Sequence, residues 1–317
     1  MRFDDLWIQG TGGVLGELVP IGDAVAAGRC PAHRAEKTGI VSVSESSRTA
    51  PELAMDAARA AMTQAGNPVP GLHLHAGAYV QGPDLSSAAC RIAGEVVGPE
   101  LHGLTLEMSA LSNGSVAALE LAASVLSGRP DMACALVTVA DQFPESSIDR
   151  WNVDAGIVVG DGAAAAVLGR TPGKLRLLSV ASYSDPRLET ERAAAGSDRG
   201  AAVRRTVQGT RRVLDQALAE AGHTLTEARW VVPPFFGRTL AARSYLEPLG
   251  LDPRRTLLEF GLRTGHVGAV DQLLGLDHVL RSGRLRPDDV IVLLGVGNGF
   301  TFSCAVLRAG ELVRRGR

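Results

Sequence analysis

Two stretches of this 317-residue chain repeat one another, and that repeat constrains the fold more than any other feature. Leu104–Arg129 reads LTLEMSALSNGSVAALELAASVLSGR; Thr256–Arg284 reads TLLEFGLRTGHVGAVDQLLGLDHVLRSGR. Each runs strand, glycine-containing turn, amphipathic helix and Ser-Gly-Arg, and then into a further apolar strand. Downstream of each lies a glycine-rich turn, Val159-Gly160-Asp161-Gly162 in one case and Gly295-Val296-Gly297-Asn298-Gly299 in the other. Two similar halves predict a duplicated fold with a site between them. Ser112 and His266 stand at corresponding helix N-termini, which a pseudo-twofold axis would bring towards each other. The composition change at Gly169–Pro172 is the natural seam, dividing the chain into halves 1–170 and 171–317.

Short apolar strands alternate with amphipathic helices, which reads as an α/β architecture. Strands are expected at Leu6–Gln9, His75–Val80, Leu104–Met108, Ala133–Ala140, Ile157–Leu168, Leu175–Ser184, Arg229–Val232, Thr256–Phe260, Val290–Leu294 and Phe300–Leu307. Helices are expected at Pro51–Ala65, Ser86–Val96, Gly114–Leu126, Ala201–Ala221, Arg238–Leu249 and Val267–Arg281. Pro51 suits a helix start, and Gly66 and Gly222 suit helix ends.

Bulk properties exclude several functions. The net charge of −2, with no basic block before Arg314-Arg315-Gly316-Arg317, argues against nucleic acid, whose phosphates need a concentrated Lys/Arg face. No apolar run is long enough to cross a bilayer, and the acidic start MRFDDLW is unlike a secretory signal. Cys30, Cys90, Cys134 and Cys304 are scattered without metal or disulfide spacing, which fits a reducing cytoplasm. His73 and His75 alternate on a strand with no third ligand apparent, so a structural reading is favoured and no metal is expected.

Ser112 lies on a tight strand-to-helix turn, beside helix N-terminal N–H groups that stabilise a developing oxyanion. A nucleophile for acyl transfer is commonly placed this way. The competing reading is a serine that merely caps its helix.

In order and spacing, these features resemble the ketoacyl-acyl-carrier-protein synthase III branch of the thiolase superfamily. The resemblance is carried by LSSAACRIAGEVVG (Leu85–Gly98), GDGAAAAVLGR (Gly160–Arg170) and SGRLRPDDVIVLLGVGNGFTFSCAVLR (Ser282–Arg308). It implies a thiolase fold with duplicated, five-layered αβαβα halves. Where the family has its nucleophilic cysteine, this chain has Ser112. Where the family has the histidine of an H-Q-A-N motif, Pro233-Pro234-Phe235-Phe236-Gly237 offers none. Where the family has asparagine, His266 stands in Thr264-Gly265-His266-Val267-Gly268.

Decarboxylative condensation uses the histidine and asparagine to hold an enolate oxygen, and loss of one oxyanion donor costs about 10²–10³-fold. Serine needs a base, which His266 can supply for roughly 10²–10⁴-fold. The resemblance therefore implies an acyltransferase of a polyketide or antibiotic pathway, working through acyl-Ser112. The alternatives are a starter-unit condensing enzyme and a silent carrier-binding partner.

Asp271 either orients His266 through a distorted first turn or is a solvated or capping residue, since five helical steps rotate it away. The N–H of Asn298 is expected at the oxyanion turn, with its side chain a candidate for orienting His266. Lys37, matching a family arginine, and Arg150 are candidate coenzyme A contacts, and His33 replaces a stacking tryptophan. Leu85, Phe235, Phe236 and the Ser184–Arg199 loop are candidates for the acyl pocket. The donor is expected to be an acyl thioester on acyl carrier protein phosphopantetheine or on coenzyme A, with no other cofactor. Arg204, Arg205, Arg211 and Arg212 could dock an acidic carrier or form a solvated face. A homodimer is implied, paired through Leu104–Met108.

Overall fold

The computed structural model describes residues 1–193 and 199–310. The tail arginines Arg314, Arg315 and Arg317 lie outside the described residues, as do positions 194–198 of the expected pocket loop.

Nine strands form one mixed sheet among the described residues. From edge to edge they are Leu104–Met108, Leu72–Ala76, Cys134–Asp141, Gly162–Gly169, Arg2–Leu15, Leu175–Ser184, Thr301–Ala309, Val290–Gly297 and Ala228–Val232. The pairing pattern repeats about the centre. Leu72–Ala76 runs parallel to Cys134–Asp141, followed by two antiparallel neighbours. Ala228–Val232 likewise runs parallel to Val290–Gly297, again followed by two antiparallel neighbours. Arg2–Leu15 and Leu175–Ser184 meet antiparallel in the middle. Cys134–Asp141, Gly162–Gly169 and Val290–Gly297 are buried at every position. That is why they read as continuous apolar runs rather than alternating ones.

The helices Gly114–Gly128 and Asp271–Arg281 pack against each other in the main core. Val116, Leu119 and Ala123 share one cluster with Leu273, Leu276 and Val279. The Ser115 hydroxyl ties the two helix starts together by donating to the Ala269 carbonyl at 2.6 Å. Gly114 permits this approach, because a Cβ there would stand 2.7 Å from that of Ala269. The outer helix Ala50–Gln64 begins as its sequence suggests, with a Thr49/Glu52 capping box and Pro51 in the first turn.

Five local expectations need correction. The strand expected at His75–Val80 lies at Leu72–Ala76 instead. Thr256–Phe260 is not a strand; a turn at Pro253–Arg255 leads into the helix Leu258–Thr264. Glu259 and Arg263, four apart, face solvent, while Leu258 and Leu262 pack into a small cluster with Val43, Trp151 and Val158. Period four overrode the echo of the first half. The Ile157–Leu168 strand begins only at Gly162. The Arg238–Leu249 helix is interrupted by a π-turn at Ala242–Leu246. Between Val267 and Asp271 the chain forms a 3-10 turn, so the α-helix starts at Asp271 rather than at Val267.

A hairpin of Glu17–Pro20 with Ser42–Glu45, holding two short helices between its strands, escaped the sequence reading. Its strands are four residues each, too short to show a period.

Candidate active site

The paired helix starts bring three predicted residues together. The Ser112 hydroxyl donates to Nε2 of His266 at 2.8 Å, across 154 positions of sequence. Nδ1–H of His266 donates to Oδ2 of Asp271 at 2.6 Å. The Asp271 carboxylate also accepts the backbone N–H of Phe235 at 2.7 Å and of Val267 at 2.8 Å. A carboxylate on Nδ1 fixes the tautomer that leaves a lone pair on Nε2, aimed at the serine. The 3-10 turn resolves the geometry of Asp271. A continuous α-helix would have rotated it away, whereas the tighter turn folds it back under the imidazole.

Leu111, immediately before Ser112, has φ +47. A left-handed branched residue is strained, and such strain clusters where a turn must present a side chain. The hairpin end at Gly295–Gly297 packs on this turn. A Cβ at Gly297 would strike the Ala110 carbonyl, and one at Gly295 the Asn113 side chain, at 2.1 and 2.0 Å. Asn298 lies one residue beyond, exposed in the hairpin turn. Both ring nitrogens of His266 are already taken, so the expectation that the Asn298 side chain orients His266 is not met.

His266 is buried. Burial works against its positive charge, but the charge and hydrogen bond of Asp271, with Asp141 adding to them, outweigh it and hold the imidazole above the ordinary histidine value. Only neutral imidazole can take a proton from Ser112. Acylation should therefore rise with pH along a limb centred above about 6.5. Single-turnover acylation rates across pH check this, and a limb at or below that value contradicts it.

Phe236 sets its ring edge against the imidazole, with centroids 5.4 Å apart and planes at 73°. Phe235 is buried, edge-on to Phe260, and serves the site through its backbone N–H. Pro234 is buried as well and brings no donor.

Arg150 is a correction. It is 3% exposed, its guanidinium pairs with Asp161 at 3.1 Å, and it donates to the carbonyls of Phe143 and Val159. It clamps the loop before the Gly162–Gly169 strand, its guanidinium engaged within the protein. Lys37 and His33 are exposed on the short helix Ala32–Thr38, whose end meets the Gly237–Thr239 segment just after Phe236, the Lys37 carbonyl accepting from the Thr239 hydroxyl at 3.2 Å. Leu85 is fully exposed at φ +61. Of the arginine set, Arg205 pairs with Glu191, Arg211 with the Pro248 carbonyl, and Arg212 stacks on Tyr183 at 4.3 Å.

Among the described residues no group of three or more His, Cys, Asp or Glu is placed to hold a metal ion. No helix among them is long and apolar enough to cross a membrane. Sequence reasoning missed Asp141, which is buried and bonded to the turn that carries His266. The available signal was an acid closing an otherwise apolar strand, CALVTVAD.

The twice-built sheet around a buried helix pair, with Ser112 and His266 at the two helix starts, is a thiolase fold. Residues 106–186 match the family profile for 3-oxoacyl-acyl-carrier-protein (ACP) synthase III, and residues 218–309 match that for its C terminal region. The chain belongs to this synthase III family, whose members are acyl-transferring or condensing enzymes. It is 30% identical to the beta-ketoacyl-acyl-carrier-protein synthase III of Rhizorhabdus wittichii, over 65% of this chain and 67% of that one. The Bordetella petrii synthase III is 29% identical over 95% and 97% of the two chains. A solved acyltransferase structure, ChlB3, superposes with TM-score 0.91 at 34% identity, covering 97% of this chain and 98% of the other.

Proposed function

We propose that this chain is an acyltransferase of secondary metabolism, in a polyketide or antibiotic pathway, rather than a condensing enzyme. One observation carries the reading: Ser112, His266 and Asp271 form a hydrogen-bonded line at 2.8 and 2.6 Å. Ser112 Oγ attacks the carbonyl carbon of an acyl thioester on acyl carrier protein or coenzyme A while His266 Nε2 takes its proton. The C–S bond breaks and the thiol leaves with that proton. An acceptor thiol, hydroxyl or amine then gives its proton to His266, attacks the oxoester and regenerates Ser112.

The N–H groups of Ser112 and of the Gly297–Asn298 turn are assigned to the tetrahedral oxygen. Contact between that hairpin end and Ala110 supports the assignment. Condensation is disfavoured because Pro234 supplies no donor and the Phe236 ring stands against His266. The thioester is itself the donor, and neither metal nor cofactor enters.

Likeness to the ChlB3 acyltransferase supports the reading. Division of the chain at 170/171 is supported by the repeated strand pairing. A cytoplasmic homodimer is proposed through Leu104–Met108, an edge strand with Leu104 60% exposed, and Leu85 is also fully exposed. Such an edge with exposed apolar side chains invites pairing.

Incubation with acyl thioesters and, separately, malonyl-carrier protein tests the reading. Intact-protein mass spectra should show one acyl group added, with no carbon dioxide released from the malonyl donor. Carbon dioxide release with a ketoacyl product would favour a condensing enzyme. Carrier binding with no adduct would favour a silent scaffold.

A further inference from the structure

A file of buried polar side chains runs from the edge strand to the turn that carries His266. The Thr105 hydroxyl meets Nδ1 of His73 at 2.9 Å, and Nε2 of His73 meets the Thr138 hydroxyl at 2.9 Å. That hydroxyl also meets Nδ1 of His75 at 2.9 Å, and Nε2 of His75 meets Oε1 of Gln81 at 3.0 Å. The Gln81 amide nitrogen reaches the carbonyls of Tyr79 and Ala140, which fixes its orientation, and leans towards Asp141 at 3.4 Å. Asp141 in turn accepts the N–H groups of Ala78, Tyr79 and Ala269. Its bond to Ala269, at 2.7 Å, falls three residues past His266.

The donors can be assigned in only one direction. Asp141 accepts, so Gln81 donates to it and offers its Oε1 to His75, which must carry its proton on Nε2. Nδ1 of His75 then accepts from Thr138, whose single proton is thereby used. Thr138 must accept from Nε2–H of His73, and Thr105 donates to Nδ1 of His73. Every donor points towards Asp141. Burial holds both imidazoles neutral, with His73 pushed down to about 3, as this assignment requires. Aligned in one sense, the bonds polarise one another and favour the carboxylate at their end.

We propose that Asp141 is a positioning residue for His266, and that the file behind it makes its hold on that turn depend on the edge strand Leu104–Met108. The proposal rests on the acyl-transfer reading for Ser112 and His266. Asp141 holds Ala269 in place; burial pushes its carboxyl up to about 7 against the pull of the Ala269, Tyr79 and Ala78 N–H groups and of His266, so above that pH it sets a second negative charge facing the imidazole. A Cβ on Gly268 would lie 2.2 Å from Oδ2 of Asp141, so turn and carboxylate are in close contact. Asp271 and Asp141 are the charges that face His266. The Arg150–Asp161 pair lies on the segment that bridges to His266, Tyr245 faces Asp271, and Glu107 faces His75.

The test is an NMR titration of isotope-labelled histidines in the full chain, alongside Ser112 acylation rates. Asp141→Asn should lower the His266 pKa, since the charge Asp141 carries when ionised is lost. Thr138→Val removes no charge and is nearly isosteric. It should shift the Ala269 amide and His75 resonances and slow acylation about threefold to tenfold with KM unchanged. If Asp141→Asn fails to fold, Thr138→Val decides alone. A fall in melting temperature with the Ala269 amide and acylation rate unmoved overturns the proposal. The titration needs no turnover. His266 shifting in a protein that never acylates defeats the functional reading alone, and normal acylation with an unmoved His266 defeats the positioning alone.

Discussion

Ser112→Ala should abolish the covalent acyl adduct and lower acyl transfer by about 10⁴–10⁶-fold, the scale seen when the nucleophile of such a unit is removed. The Oγ bonds only to His266 among the hydrogen bonds of the described residues, so its loss leaves the fold intact. The backbone of the Leu111–Asn113 turn does not depend on it, since Asn113 N–H is held by the Ala110 carbonyl and the Asn113 side chain by Ser303. Intact-protein mass spectrometry and transfer kinetics check the result. An alanine variant that still gains the acyl mass would remove Ser112 from the mechanism.

Asp271→Asn should be nearly as severe, costing about 10⁴-fold in acylation rate with little change in KM. Three N–H donors converge on this carboxylate, from His266, Phe235 and Val267. An asparagine has one acceptor oxygen, so its NH₂ must oppose at least one of them. Where the NH₂ takes the place of Oδ2, which accepts from both His266 and Phe235, His266 must move its proton to Nε2. The nitrogen facing Ser112 then has no lone pair with which to take the serine proton. A single-turnover acylation assay at neutral pH measures the loss, and a thermal melt separates it from misfolding. A variant that acylates within tenfold of the parent would reduce Asp271 to a structural cap.

These two effects differ in kind. Removing Ser112 deletes the atom proposed to be acylated, whereas altering Asp271 leaves every proposed reacting atom in place and changes where one proton resides. Their product should fall well short of multiplicative, because serine, imidazole and carboxylate act as one unit. The raised pKa of His266 belongs to the same arrangement, since the carboxylate that fixes the tautomer also stabilises the imidazolium formed when Ser112 gives up its proton.

Much of the site was legible because it is local. Ser112 on its strand-to-helix turn, His266 in its glycine-flanked turn and the donorless Pro233-Pro234 run are each confined to a few residues. The repeat between Leu104–Arg129 and Thr256–Arg284 was enough to pair the serine with the imidazole. That same repeat misled at Thr256–Phe260, where burial of Leu258 and Leu262 on one helical face outweighed the analogy with Leu104–Met108. Arg150 was misread for a related reason. An arginine in a loop looks available until its ion pair with Asp161 withdraws it from solvent.

From its sequence alone, the chain settles its α/β alternation and its internal repeat, because hydrophobic periodicity and turn residues act over short stretches; its likeness to the synthase III family is carried by ordered motifs such as Gly160–Arg170 and Ser282–Arg308. Tertiary structure alone decides that Asp271 reaches His266, that Arg150 is internal, and that Asp141 braces a turn 128 residues away. The physical reason is that buried polar groups must find partners wherever packing places them. No local pattern records which segment will deliver the matching donor.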